Sequence, residues 1–172
     1  MSYEINRREL IKIGAAVAIN SPAALAVTDT PKFFTPAEFA LVDELTEMII
    51  PTDSHSPGAR AAKVAAYIDQ RVTEAFEPED RENWRSGLAL VDALSHKMHD
   101  RLFLEATPEQ RTEVLTAMAR NEVHPKTPEE KFFRILKQGT VHGYYTSSIG
   151  IHQEMEYKGN TLLQEFVGDE VK

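Results

Sequence analysis

From Phe39 onward apolar side chains return every three or four residues: Phe39, Val42, Leu45 and Ile49, with Leu41 and Met48 widening the stripe until Pro51 ends it. Such spacing marks one buried face of an α-helix, and it predicts a first helix over residues 36–50. After the loop "PTDSHSPGA", Val64, Ile68, Val72 and Phe76 fall on one helical face, predicting a second helix over residues 59–76. "EPED" breaks and restarts the chain. Trp84, Leu88, Val91, Leu94, Met98 and Leu102 then mark a long third helix over residues 79–102, which Gly87 weakens only locally. Val114, Leu115 and Met118 serve a fourth from Pro108 to Asn121, and Phe132, Phe133, Ile135 and Leu136 open a fifth at Pro128, with a less periodic tail from Ile149. No stretch alternates with period two for long enough to argue a sheet. The fold class expected is all-α, an irregular bundle of about five helices.

Three of these helices begin with the same spelling: Thr35-Pro36-Ala37-Glu38, Thr107-Pro108-Glu109-Gln110 and Thr127-Pro128-Glu129-Glu130. Threonine at the N-cap accepts from the backbone N–H three residues on. Proline suits the first helical position, where a donor would be unused, and Glu or Gln reaches back to complete a capping box. The residues after each start differ, so the recurrence is local grammar and not a repeat.

The first 26 residues do not fit this pattern. "NRRELIKIGAAVAINSPAALA" pairs two arginines with a short apolar run that Asn20, Ser21 and Pro22 interrupt, and it closes on Ala24-Leu25-Ala26. A positive start, an apolar middle of roughly 7 to 15 residues and a small-residue cleavage site make a targeting peptide. Asn6-Arg7-Arg8-Glu9-Leu10-Ile11-Lys12 resembles the twin-arginine class, with Leu10 where Phe is frequent and Asn6 where Ser or Thr is. The middle is about half the ~20 residues a bilayer span needs. The expected organisation is a signal peptide over residues 1–26, cleaved after Ala26, and a single helical domain over 27–172. A twin-arginine route carries folded cargo, so the expected location is the periplasm.

Charge and cysteine narrow the partners. Loss of residues 1–26 removes Arg7, Arg8 and Lys12 against Glu4 and Glu9, leaving 16 basic and 25 acidic residues and a net charge of -9. That balance, with no basic run, disfavours nucleic acid or anionic lipid, both of which need clustered Lys and Arg. The chain has no cysteine, which excludes disulfides, cysteine-attached haem, cysteine-ligated iron–sulfur clusters and a thiol nucleophile within it.

Candidate chemistry is sparse. His96 and His99 sit three apart beside Asp100, a spacing that can place two rings on one face, but no H-E-x-x-H motif supplies a further ligand, so a solvated polar face is the alternative. In "GTVHGYYTSSIG" Gly139, Gly143 and Gly150 frame His142, Tyr144 and Tyr145. His142 could serve as acid or base if it lined a pocket, and the tyrosines could give contact surface or core packing. Neither a phosphate-cradling G-x-G-x-x-G or P-loop nor a G-x-S-x-G elbow is present. A self-contained flavin or nicotinamide enzyme is therefore not expected.

"FFTPAEFALVDELTEMIIPTDSHSPGARAAKVAAYID" from Phe33 to Asp69, followed by "GYYTSSIGIHQEMEYKGN" from Gly143 to Asn160, resembles the gluconate 2-dehydrogenase subunit 3 family, the small subunits of membrane-associated sugar dehydrogenases. The resemblance implies a non-catalytic partner of a large FAD-containing subunit of the glucose-methanol-choline type, often with a multihaem cytochrome c as electron acceptor. The large subunit of such complexes typically lacks its own export signal and travels with the small one. Gluconate, glucose, other polyols and glycosides oxidised at the 3-position are the substrates of such complexes, and nothing in this chain selects among them. Some members carry a cysteine near the C-terminus where this chain reads "EFVGDEVK", which puts a covalent tie to the partner in doubt. No catalytic, cofactor-binding or metal residue is carried over. The residues expected at the partner interface are Pro51, Thr52 and Asp53, in the loop after the first helix, and Tyr144, Tyr145, Ile149 and Tyr157, each with intramolecular packing as its alternative. Two rival readings stay open: an autonomous periplasmic helical protein holding a small ligand near His142 and Tyr145, and a metal enzyme built on His96 and His99.

Overall fold

The computed structural model describes residues 30–157 and 159. Arg7, Arg8 and the proposed cleavage site lie outside the described residues. Helices α1 (Pro36–Ile49), α2 (Gly58–Ala61), α3 (Val64–Thr73), α4 (Pro78–His99), α5 (Pro108–Ala119) and α6 (Pro128–Tyr145) follow one another, with a 3₁₀ turn at Phe103–Glu105 and a single π turn at Gly150–Glu154. Among the described residues there is no strand, and the chain is all-α. All three capping boxes form: Thr35, Thr107 and Thr127 accept from the N–H of Glu38, Gln110 and Glu130, whose side chains return to the cap.

Helix α6 organises the bundle by packing against α1, α3, α4 and α5. Its inner side carries Phe132, Phe133, Leu136, Thr140 and Tyr144 into a core shared with Leu45 of α1, Ile68 of α3, Val91 of α4 and Met118 of α5. Gly143 lets α3 close on it, whereas the space at Gly139 would accept a methyl in ordinary contact. A Cβ at Gly143 would stand 2.7 Å from the Tyr67 ring and 3.2 Å from Val64, and one at Gly139 would meet Trp84 and Ile68 at 3.5–3.6 Å. Aromatic edges continue the core from Phe132 to Trp84 (centroids 5.5 Å apart) and from Trp84 to Phe34 (5.8 Å).

The second and third expected helices differ from their sequence patterns. The second is two pieces, because Lys63 takes a left-handed conformation (φ 55°) between α2 and α3. It also ends at Thr73, so Phe76 leaves the apolar stripe it shares with Val72 and is 93% exposed. The reason is Arg81, whose guanidinium donates to the carbonyls of Val72, Thr73 and Ala75 and takes the place of the helical donors that would have continued α3. Pro78 then disfavours helix at Glu77 and starts α4. That helix stops at His99, because Asp100 turns left-handed (φ 55°) and leaves Leu102 half in water. Gly87, expected to be a local weakness, is a packing requirement: a Cβ there would lie 2.0 Å from the buried Phe132 ring.

Candidate functional site

The loop between α1 and α2 is braced from below by one carboxylate. Glu47 accepts from the backbone N–H of Thr52 (3.0 Å) and of Arg60 (2.8 Å), and Thr52 Oγ1 stands 2.8 Å from both Glu47 Oε1 and Pro57 O. Gly58 closes the turn at φ 78°, where a Cβ would strike Thr52 Oγ1 at 2.5 Å. At the tip, Asp53 accepts from the N–H groups of His55 (2.8 Å) and Ser56 (2.7 Å), an Asx turn. Those two donors hold the Asp53 carboxyl below its ordinary value. Pro51, Thr52 and Asp53 are exposed on this rigid hairpin.

A second clamp ties the loop to α6. Tyr144 Oη and Ser56 Oγ share a hydrogen bond, while Ser56 Oγ also accepts from Gly58 N–H. Tyr144 is fully buried, so it holds the loop from inside and offers no surface; as an expected interface residue it is corrected. Its neighbour Tyr145, stacked edge-on at 5.2 Å, faces solvent, because adjacent helical residues point about 100° apart. Ile149 is half-buried against the core, and Tyr157 is exposed. Of the expected interface residues, Pro51, Thr52, Asp53, Tyr145 and Tyr157 therefore stand at the surface. Gly150 lets the π turn lie against the carbonyl of Tyr144, which a Cβ would approach to 2.2 Å.

His142 lines the wall of a groove of about 530 Å³ between α3 and α6, floored by Trp84 and Ile68 and rimmed by Arg71, Asp80 and Phe76. Its ring lies 5.8 Å from that of Tyr67, tilted by 33°. On α4, His96 faces Asp100 at 3.2 Å while His99 Nε2 lies 3.4 Å from Glu113 of α5 without forming a hydrogen bond, so the two imidazoles point toward different carboxylates. Among the described residues no group of three or more His, Cys, Asp or Glu is placed to hold a metal ion, and no helix is long and apolar enough to cross a membrane.

Two features escaped the sequence reading. Asp69, buried on the inner face of α3, accepts from three consecutive backbone N–H groups, those of Lys32 (2.7 Å), Phe33 (3.0 Å) and Phe34 (2.9 Å). This clamp fixes the lead-in to α1, and Arg85 covers it by lying 4.7 Å over the Phe33 ring. The signal was a carboxylate beside Ile68 on an apolar face, a position that requires buried donors. The second is Phe76, whose periodicity pointed inward.

Nothing matches among curated proteins or among solved structures. The family model described as gluconate 2-dehydrogenase subunit 3 matches residues 36–161, which include all six helices, the braced loop and the π turn. The chain therefore belongs to the gluconate 2-dehydrogenase subunit 3 family, the small subunits of dehydrogenase complexes.

Proposed function

We propose that this chain is the non-catalytic small subunit of a periplasmic FAD-dependent dehydrogenase of sugars, sugar acids or glycosides. It binds and stabilises a large flavoprotein subunit of the glucose-methanol-choline type and exports it folded through Arg7 and Arg8. The observation that carries this reading is the family match across residues 36–161, since a subunit of a dehydrogenase complex serves a larger catalytic partner. The surface agrees: Phe76, Val123, Tyr145 and Tyr157 leave apolar area in water. The flavin belongs to the partner in this reading, as does any haem c to a third subunit.

The test is to tag the C-terminus in the native host and purify the chain from the periplasm with whatever accompanies it. A larger polypeptide with a flavin spectrum and sugar-dependent dye reduction is the expected result. A lone colourless protein would overturn the subunit reading in favour of an autonomous binding module. For export, Arg7→Lys combined with Arg8→Lys is expected to hold both polypeptides in the cytoplasm with dehydrogenase activity intact. Normal periplasmic activity in that double variant would refute carriage of the large subunit by this signal.

A further inference from the structure

We infer that the outer face of α6, together with the groove that Phe76 rims, is the surface on which the large catalytic subunit docks, and that the partner meets the Phe76 rim with an apolar patch collared by Lys and Arg. This rests on the small-subunit reading above and names the surface that carries it out. Along α6 the exposed positions Lys131, Arg134, Gln138, Val141, His142 and Tyr145 form a continuous stripe at helical spacing. A groove flanks it on each side: the one of about 530 Å³ rimmed by Phe76, and one of about 470 Å³ rimmed by Val123. Gln138 and His142 stand in the walls of both, so the grooves lie side by side across a single ridge.

The rims are the two most exposed large apolar side chains among the described residues, Phe76 at 93% and Val123 at 79%. Phe76 does not hang on a slack loop. Arg81 fastens three carbonyls before it, and Pro78 starts α4 two residues after it, so the backbone that carries the phenyl is held and needs no ordering on binding. Aromatic anchors presented this way concentrate binding energy at protein interfaces.

Charge selects the occupant. Glu74 and Asp80 line the groove beside Phe76 with Arg71, and Glu77 and Glu79 follow it in the chain, all exposed, while Arg134 and Lys137 line the Val123 groove on the far side of the ridge. A cationic collar complements the Phe76 rim. The chain's own C-terminal segment beyond residue 160 carries Glu165, Asp169 and Glu170 against Lys172, a net charge of the same sign as this rim, which disfavours it as the occupant. A second copy, at net charge -8 and with the same acidic rim, is disfavoured for the same reason.

The experiment uses the C-terminally tagged full chain in its native host and compares Phe76→Lys, Val141→Lys and, as a control on an unrelated surface, Leu102→Lys. All three side chains are exposed, and matching thermal melts of the purified variants verify that each folds. The expected result is that the Phe76 and Val141 variants retain at least tenfold less of the large subunit, identified by mass and flavin absorbance, while the Leu102 variant retains it fully. Recovery at the parent level by both variants, with the parent binding normally, would overturn this surface and leave the subunit reading standing. Absence of a large partner from the parent itself would instead remove the subunit reading. Three further results would overturn the docking assignment: a dimer of the purified chain that Phe76→Lys dissolves with partner retention unchanged, retention raised by deleting residues 161–172, or a saturable change in the fluorescence of Trp84, the one tryptophan, on titration with glucose or gluconate.

Discussion

Replacing Asp69 by alanine tests whether a single buried carboxylate holds the entry to the bundle. Its two oxygens accept from the N–H groups of Lys32, Phe33 and Phe34 at 2.7–3.0 Å. The Phe34 donor is buried and finds no water once the carboxylate is gone, a loss of about 1–3 kcal/mol. The Lys32 and Phe33 donors are partly accessible and rehydrate, losing about 0.5–1.5 kcal/mol each. Adding these gives about 4 kcal/mol, a large part of the 5–15 kcal/mol typical of a domain, and alanine's better helix propensity returns only about 0.5 kcal/mol. At roughly 3–5 °C per kcal/mol for a domain of this size, the melting temperature falls by roughly 10–20 °C. Asp69→Asn keeps one acceptor oxygen for Phe33 and Phe34 but turns an amide toward the Lys32 N–H, so about 1–2 kcal/mol is expected. Thermal unfolding followed by circular dichroism reads the order, and hydrogen exchange at Phe33 and Phe34 locates it. A change below 0.5 kcal/mol for alanine, or a larger loss for asparagine than for alanine, would refute the clamp.

Gly87→Ala sets two effects against each other: helix propensity gains about 1 kcal/mol, while the new methyl lands 2.0 Å from the Phe132 ring and overpacking costs about 1–3 kcal/mol or more. A net loss is expected, and a raised melting temperature would show that Phe132 moves freely. Tyr144→Phe removes the bond to Ser56 and is expected to lower stability by about 1–2 kcal/mol while hastening hydrogen exchange at residues 52–58; unchanged exchange there would mean that Glu47 alone holds the loop. Acid should weaken the fold in a definite direction. The N–H groups of Lys126 and Thr127 hold the Glu130 carboxyl below its ordinary 4.5, and in Glu44 burial raises the value but Arg60 and Arg111 outweigh it. A carboxylate whose folded pKa is depressed contributes stability above its unfolded pKa and loses it as pH falls through the folded one. Stability should therefore drop from about pH 4.5 downward, and the gap between the parent and Glu130→Gln should narrow over the same range; a gap independent of pH would contradict this account.

Local chemistry carried far in this chain. Thr35, Thr107 and Thr127 with their paired Glu38, Gln110 and Glu130 set three helix starts from four residues each, because a capping box is closed by groups within one turn. The apolar stripes determined the helical class for a similar reason, since a period of 3.6 has no other use for a buried face. The family too was legible, in the blocks Phe33–Asp69 and Gly143–Asn160, and the match over residues 36–161 agrees. The charge balance and the lack of cysteine likewise needed no coordinates.

Tertiary structure decided what depends on partners distant in the chain. Phe76 follows the periodicity of Val72, and only Arg81 reaching back to three carbonyls turns it outward. Gly87 reads as a weak point until Phe132, 45 residues away, is found against it. Tyr144 and Tyr145 are the same residue type side by side. Which one clamps Ser56 and which faces solvent is fixed by the rotation of α6 against its neighbours, a quantity that exists only once the helices have packed.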